Sequence, residues 1–290
     1  DNHGQRVRSP GISIKEFGIS VCPYYVCTEQ GRFLDNLELS SDELLSYMAR
    51  GKEGSSQAPD VEDYERFFAQ RLTEAQNVIH ITMAKHTSLG YHNALEAAKS
   101  FENVTILDSG HLSSSMGLFV LYAASLAENH VRKAEIVETM KRLRNHISSA
   151  FIIGSTHMMC QAGQIPKRIQ ILCDALLLHP IIVLRNSRMA VGGVAVGDFA
   201  HMAKRYIRKM LINSRNIDKR ILFITYAGME KEKLQYIQEL VQQYCPFERV
   251  YLQPASSSIA SNCGPGSFGL LFIRKNDVSI SYSDASEPLD

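Results

Sequence analysis

The stretch NVIHITMAKHTSLGYHNALEAAKSFENVTILDS, residues 77–109, decides the fold that the sequence predicts. Its apolar runs at 77–83 and 103–109 have the length of buried strands, and residues 92–101 between them space their apolar side chains as a helix does. A strand, a helix and a second strand of these lengths form a βαβ unit with parallel strands. We therefore predict an α/β protein whose N-terminal domain is a mainly parallel sheet flanked by helices.

The residues around this unit extend the pattern through an N-terminal domain, residues 1–150. A β-rich segment at 18–27 comes first, and Ser41 is the predicted N-cap of the helix that follows it. Because strands and helices alternate, the order indicates repeated βαβ units. The helices other than 92–101 are predicted at 40–51, 61–74, 118–129 and 134–148.

A second α/β domain is predicted over residues 151–276, where strands are more frequent. Two residues, Asn186 and Ser187, separate two apolar runs and indicate a hairpin. The final residues, 277–290, read as a polar tail. Predicted strands lie in 149–156, 179–191, 220–228, 248–256 and 266–275, and predicted helices near 167–178, 198–213 and 229–244.

Charge and cysteine content limit the possible function classes. The 31 Lys and Arg residues nearly balance the 30 Asp and Glu residues, so the net charge of +1 favours neither nucleic acid nor an anionic membrane as a partner. The six cysteines show no C-x-x-C spacing, which indicates reduced thiols in a cytoplasmic protein. The longest apolar stretch, from Met116, is too short to span a bilayer, so no membrane insertion is expected.

The segment KHTSLGYHNA, residues 85–94, joins the first strand of the βαβ unit to its helix. Open α/β sheets bind ligands at the carboxyl ends of their strands. Backbone N–H groups at the start of the helix favour an anion, and the Ser88 hydroxyl adds an uncharged donor. The alternative is that Thr87 or Ser88 only caps the helix.

Two further segments combine small and polar residues. NCGPGSFGL, residues 262–270, fixes a sharp turn through Gly264 and Gly266, and it serves either a ligand or only the strand that follows. GSSQAPD, from Gly54, is a short polar run between two helices. For both segments a structural and a binding role remain open at this point.

Together these segments resemble the DegV family of lipid-binding proteins. SSQAP (55–59) resembles the family's Thr-Ser-Gln-Pro-Ser, SLGYHNA (88–94) its Ser-Gly-Thr-Tyr-x-x-Ala turn, and ILDSGHLSSSMGL (106–118) its Ile-Asp-Ser segment. Residues 162–189 are similar to the stretch from a Gly-Gly-Arg-Ile turn to a Lys-Pro-Ile strand, and 261–270 to the terminal His-x-Gly-Pro-Gly motif. The order and spacing of the five segments make the resemblance specific.

The resemblance implies a two-domain fold and a non-catalytic protein that binds one long-chain fatty acid and presents it to a partner, in some bacteria a fatty-acid kinase. Ser88 matches the serine that binds the lipid carboxylate, and Ser55 the threonine that assists it. The acyl tail would occupy an apolar tunnel in the first domain, with no cofactor. The ligand-binding residues so implied are Ser88, Ser55, Ser56, Thr87, Gly90, Asn262, Gly264 and Gly266.

Departures from the family pattern support a second interpretation. Asn262 replaces the family's histidine, Gln164 replaces its arginine, and residues 191–203 lack its basic cluster. The chain could therefore be a lipid-sensing regulatory domain of a larger protein without kinase coupling. A third interpretation, hydrolysis by Ser88 with a nearby histidine, is weak because the sequence has no G-x-S-x-G segment. Family members also begin with a strand ending in Asp-Ser-Thr, so we expect either that this central strand is missing here or that the domain was cut from a longer polypeptide.

Overall fold

The structure is a computed structural model that describes residues 18–275 except for residues 162, 164 and 186. It is an α/β protein, as predicted, with its strands in three sheets. The predicted tail at 277–290, the departure at Gln164 and the first turn residue of the predicted hairpin, Asn186, lie outside the described residues.

The N-terminal half begins with a three-stranded antiparallel sheet and two helices. Ser40, not the predicted Ser41, is the N-cap of the first helix, because the Ser40 side chain accepts from the backbone N–H of Glu43 and the Glu43 side chain accepts in return from the backbone N–H of Ser40. The sheet has the order β2-β1-β3. The elements are β1 (Tyr25–Thr28), β2 (Gly31–Leu34), α1 (Ser41–Ala49), β3 (Gly54–Gln57) and α2 (Val61–Leu72).

The βαβ unit predicted from residues 77–109 is confirmed. Strand β4 (Val78–Thr82) pairs in parallel with β5 (Val104–Asp108), and α3 (Gly90–Ala97) connects them. Within the described part of the chain β4 pairs with β5 alone. A cavity of about 720 Å³ lies beside β4 and is lined by residues of β4, of α2 and of the helix that begins at Ser113. Helices α4 (Ser113–Glu128) and α5 (Lys133–Leu143) follow, and each begins earlier than predicted.

The C-terminal half contains a six-stranded mixed sheet of order β10-β9-β11-β6-β7-β8. The predicted hairpin is confirmed, because β7 and β8 pair antiparallel on either side of the turn. The strands are β6 (Ile147–Ile152), β7 (Leu178–Arg185), β8 (Arg188–Val196), β9 (Ile221–Tyr226), β10 (Arg249–Pro254) and β11 (Phe268–Ile273). The helices are α6 (His157–Gln161), α7 (Lys167–Ala175), α8 (Phe199–Leu211), α9 (Lys231–Tyr244) and α10 (Ser257–Cys263).

The two halves share a hydrophobic core. Phe119 of α4 packs in one cluster with Phe223 of β9 and Leu271 of β11, so α4 lies against the six-stranded sheet. A larger cluster covers the opposite face beneath α8 and α9, where the buried Tyr206 hydroxyl donates to the carbonyl of Ala150. A domain boundary between residues 150 and 151 would cut β6, so the N-terminal half ends structurally before Ile147.

Candidate functional site

A cavity of about 610 Å³ lies between the two halves. It was expected inside the first domain, but there the described parallel sheet has only two strands, and the six-stranded sheet forms much of the cavity wall instead. On the cavity face of that sheet, cross-strand neighbours align Thr225 with Gly269 and Phe151, and Leu271 with Ser149. The volume is in the range of about 300–1,000 Å³ typical of sites for small molecules.

The lining of this cavity is uncharged throughout the described residues. Its exposed lining surface is mainly apolar, and the polar groups are hydroxyls, amides and a thiol. Such a cavity suits an apolar ligand with one polar end. Apolar lining residues include Met83, Leu112, Phe151, Ile153, Ile182, Val191, Phe268 and Leu271.

Ser88 lies on the cavity wall, in the turn between β4 and α3 that we call the Ser88 turn (residues 84–89). Its Oγ accepts from the backbone N–H of Gly90 at 2.9 Å and shares a hydrogen bond of 2.6 Å with the hydroxyl of Tyr24. The two hydroxyls carry two protons, and one of these makes the bond between them. The pair therefore keeps one proton that can be donated to a ligand.

Sequence patterns gave no indication of Tyr24, because 64 positions separate it from Ser88. Its hydroxyl reaches the turn only because residue 90 is glycine, since a Cβ there would lie 2.2 Å from the Tyr24 oxygen. Burial raises the pKa of Tyr24 above its ordinary value, so the phenol stays neutral and keeps its proton. Tyr24 and Ser88 thus form a neutral donor pair at the cavity.

The alternative role for this turn, helix capping, applies in part. Thr87 donates its hydroxyl proton to the carbonyl of Ala84 at 2.7 Å, so that proton is already used inside the turn. The N-cap of α3 is Leu89, which makes no side-chain cap, although Ser88 accepts from the first helical N–H, that of Gly90. Ser88 therefore combines a structural bond with a cavity-facing position.

The polar run that contains Ser55 and Ser56 forms strand β3. Ser56 lines the cavity and Ser55 does not. The cavity lining therefore includes Ser56 but not Ser55, the residue that the family resemblance matched to the assisting threonine.

The segment 262–270 contributes five residues to the cavity lining, and these are Asn262, Cys263, Ser267, Phe268 and Gly269. Asn262 donates from Nδ2 to the carbonyl of Ser258 at 2.8 Å. Gly264 ends α10 with a φ of +73°. Gly266 packs closely on Gly154, since a Cβ on residue 154 would lie 2.4 Å from the carbonyl carbon of Gly266. The two glycines thus form the turn and its packing, while Asn262 faces the cavity.

Of the eight predicted site residues, the structure brings four to the cavity. These are Ser88, Thr87, Ser56 and Asn262. Ser55, Gly90, Gly264 and Gly266 do not line it. Among the described residues no group of three or more His, Cys, Asp or Glu side chains could hold a metal ion, and no described helix is long and apolar enough to cross a bilayer.

His111 and Asp108 lie buried behind the Ser88 turn. The His111 backbone carbonyl accepts from the N–H of Ala84, and its Nε2 lies 2.8 Å from the carbonyl of Arg144. A neutral imidazole donates from Nε2 in this contact, which leaves Nδ1 without a hydrogen-bond partner among the described residues. Burial lowers the pKa of His111 to about 4, so the ring is neutral at pH 7.

The free energy of unfolding is expected to decrease as pH falls from 6.5 to about 4 because of His111. Its folded pKa lies below its unfolded value, so the unfolded chain takes up the proton first and the folded state loses about 1.4 kcal/mol per pH unit in this window. Urea unfolding at several pH values should show this slope, and it should be shallower by that amount in His111→Gln. An identical slope in the variant would exclude His111 as the cause.

Comparison with known proteins identifies relatives along most of the chain. The sequence profile described as "Uncharacterised protein, DegV family" matches residues 10–275. A DegV domain-containing protein of Deinococcus radiodurans is 24% identical over 261 residues, covering 87% of this chain and 90% of the relative. Both matches extend over the two halves of the fold.

Solved structures have the same fold. A DegV family protein from Thermus thermophilus, described by its fatty-acid binding, matches with a TM-score of 0.80 and 25% identity, covering 90% of this chain and 94% of that one. The Streptococcus pneumoniae Fatty Acid Kinase (Fak) B3 protein loaded with linoleic acid matches with a TM-score of 0.74 and 15% identity, covering 88% and 90%. The second likeness shows the fold alone.

Proposed function

The chain belongs to the DegV family, and from this premise we propose that it binds a single long-chain fatty acid in the cavity between its halves. It acts as a non-catalytic carrier that presents the acid to a partner protein. The observation that carries the proposal is an uncharged, mainly apolar cavity with the Tyr24–Ser88 donor pair on its wall. Fatty-acid binding by the Thermus thermophilus relative supports it.

The two parts of the ligand contribute unequally to affinity. Burying an acyl chain is worth about 0.8 kcal/mol per methylene, so fourteen or so methylenes supply about 10 kcal/mol before entropy costs. One hydrogen bond to a charged group contributes only about 1.5–3 kcal/mol. The apolar wall therefore holds the ligand, and Ser88, Tyr24, Ser56 and Asn262 orient its carboxyl group.

Native mass spectrometry of the protein purified from a bacterial host tests the proposal. We expect one adduct with the mass of a long-chain fatty acid, which organic extraction should release and identify. Protein that carries no acyl chain, and that also fails to bind added long-chain fatty acid after purification, would contradict it.

A second candidate is a lipid-sensing regulatory domain without kinase coupling. It is favoured by the absence of the family's basic cluster, which extends to the composition of β8. From Met189 to Val196 the strand has no charged residue, and three of its valines are more than 40% exposed. The carrier presents its ligand to an enzyme, whereas a sensor does not. Incubating the lipid-loaded protein with a fatty-acid kinase and ATP distinguishes them, because acyl phosphate forms only with a carrier coupled to the kinase.

Affinity for the fatty acid is expected to increase as pH falls. A carboxylate that meets only neutral donors in an apolar cavity favours its protonated form, so the pKa of the bound acid is raised above that of the free acid. Between these two pKa values the Kd should decrease about tenfold for each unit by which the pH is lowered. Titration at pH values where the protein stays folded measures this, and an affinity that is flat or weaker at low pH would indicate a cation at the head group, such as His86.

A further inference from the structure

The buried carboxylate of Asp108 binds three separate segments of the chain. It is 6% exposed and ends strand β5. Oδ1 accepts from the backbone N–H of Lys85 at 3.2 Å and of Gly110 at 2.9 Å, and Oδ2 accepts from the hydroxyl of Ser187 at 3.1 Å. One side chain therefore joins the Ser88 turn, the turn after β5 and the tip of the β7–β8 hairpin.

The hairpin forms one wall of the cavity. Ile182 of β7 and Met189 and Val191 of β8 line it. Met189 is 50% exposed and Val191 68% exposed, so at these two residues the cavity wall is also the protein surface. A ligand entering on this side must pass the hairpin.

Ser187 is the buried residue that precedes strand β8 in the hairpin. Ser187 is 5% exposed and has a φ of +60°, a conformation that costs energy for a residue with a side chain. Strand β8 is the last strand of its sheet and pairs with β7 alone among the described strands. The contact between Ser187 and Asp108 therefore fixes the free end of the hairpin to the other half of the molecule.

Arg144 also contacts Asp108. Its guanidinium donates to the backbone carbonyl of Asp108, and Nη1 lies 3.8 Å from Oδ2. A hydrogen bond to an ionised carboxylate is stronger than one between neutral groups. The Ser187–Asp108 hydrogen bond is therefore of the stronger, charge-assisted kind, and both of its side chains are buried.

We propose that Asp108 is a positioning residue whose bond to Ser187 keeps the β7–β8 hairpin closed over the cavity. Release of this bond opens the path by which the fatty acid enters and leaves. The inference rests on the proposed function, since it assigns the route of the same ligand. Because entry and exit use one opening, losing the bond should accelerate association and dissociation by the same factor and leave Kd nearly unchanged.

Three substitutions at Ser187 test the bond. Ser187→Ala and Ser187→Gly both remove the hydroxyl, and glycine also relieves the positive φ. Ser187→Asn is the matched control, since its amide keeps a donor and asparagine tolerates positive φ. With cis-parinaric acid as a fluorescent fatty acid in stopped-flow measurements, we expect both rate constants to rise about tenfold in the first two variants, the equivalent of about 1.4 kcal/mol. In Ser187→Asn they should stay near those of the unaltered protein.

Hydrogen exchange without any ligand provides a second readout. Backbone amides of β8 should exchange faster in Ser187→Ala and Ser187→Gly, while those of β9 should not change. Unchanged exchange in β8, unchanged rate constants, or a faster dissociation with weaker Kd and unaltered association would each overturn the proposal. If the unaltered protein does not bind cis-parinaric acid, the proposed function fails, and the exchange measurement still decides whether Ser187 holds the hairpin.

Discussion

Replacing Ser88 with alanine is expected to weaken fatty-acid binding about ten- to a hundredfold while the protein still folds. The hydroxyl and its partner Tyr24 hold one proton that is free for the ligand, and a donor to a carboxylate is worth about 1.5–3 kcal/mol. The same change also removes the acceptor for the backbone N–H of Gly90. Loss of such a capping bond costs about 1 kcal/mol of stability. Titration calorimetry on delipidated protein measures the first effect and thermal unfolding the second.

Thr87→Ala is the matched control for this experiment. Its hydroxyl lies one position away on the same cavity wall, but its proton is already donated to Ala84. Its loss should leave affinity nearly unchanged. If Ser88→Ala lowers thermal stability but retains its full complement of lipid, the serine only supports the helix start and our assignment of the donor is wrong.

The partner hydroxyl provides a test of how the donor pair works. Tyr24→Phe should weaken binding as Ser88→Ala does, because either change disrupts the pair that keeps one proton for the ligand. The double variant should lose less than the sum of the two single effects, since groups in one hydrogen-bonded pair are not additive. Strictly additive losses would show that the two hydroxyls act separately.

A long-chain fatty acid added to delipidated protein is expected to raise the melting temperature by about 8–16 °C. At a free concentration of about a thousand times Kd, a ligand that binds only the folded state adds about 4 kcal/mol of stability. For a chain of this size each kcal/mol corresponds to about 2–4 °C. Differential scanning calorimetry with and without the acid measures the shift.

Chain length separates burial of the tail from binding of the head group. Two additional methylenes are worth about 1.6 kcal/mol, or about fifteenfold in affinity, until the chain fills the cavity of about 610 Å³. Octanoic acid is the control, because it has the same carboxyl group and a much shorter tail. Equal affinities, and so equal increases in melting temperature, for octanoic and hexadecanoic acid would mean that the cavity does not receive the acyl chain.

Much of the fold follows from local patterns in the sequence. The βαβ unit at 77–109, the β7–β8 hairpin and the order of the later strands with α7, α8 and α9 are visible as apolar periodicity and turn residues, which act between neighbours along the chain. The short helices α6 and α10 were not predicted. The predicted N-cap of α1 was wrong by one position, because two adjacent serines are both suitable caps and the structure has Ser40 rather than Ser41 in that role. The extent of the parallel sheet could not be predicted, because strand pairing joins segments distant in sequence.

The candidate site shows the same division. The sequence by itself determined that Ser88 lies in the turn between a strand and a helix, since that position depends only on residues near it. Tertiary structure alone decided that Tyr24 meets Ser88, that Ser56 rather than Ser55 reaches the cavity, that the cavity lies between the halves, and that Ser187 meets Asp108. Each of these depends on how two distant segments pack on a shared core, and the side chains involved carry no periodic signal that would reveal their partner.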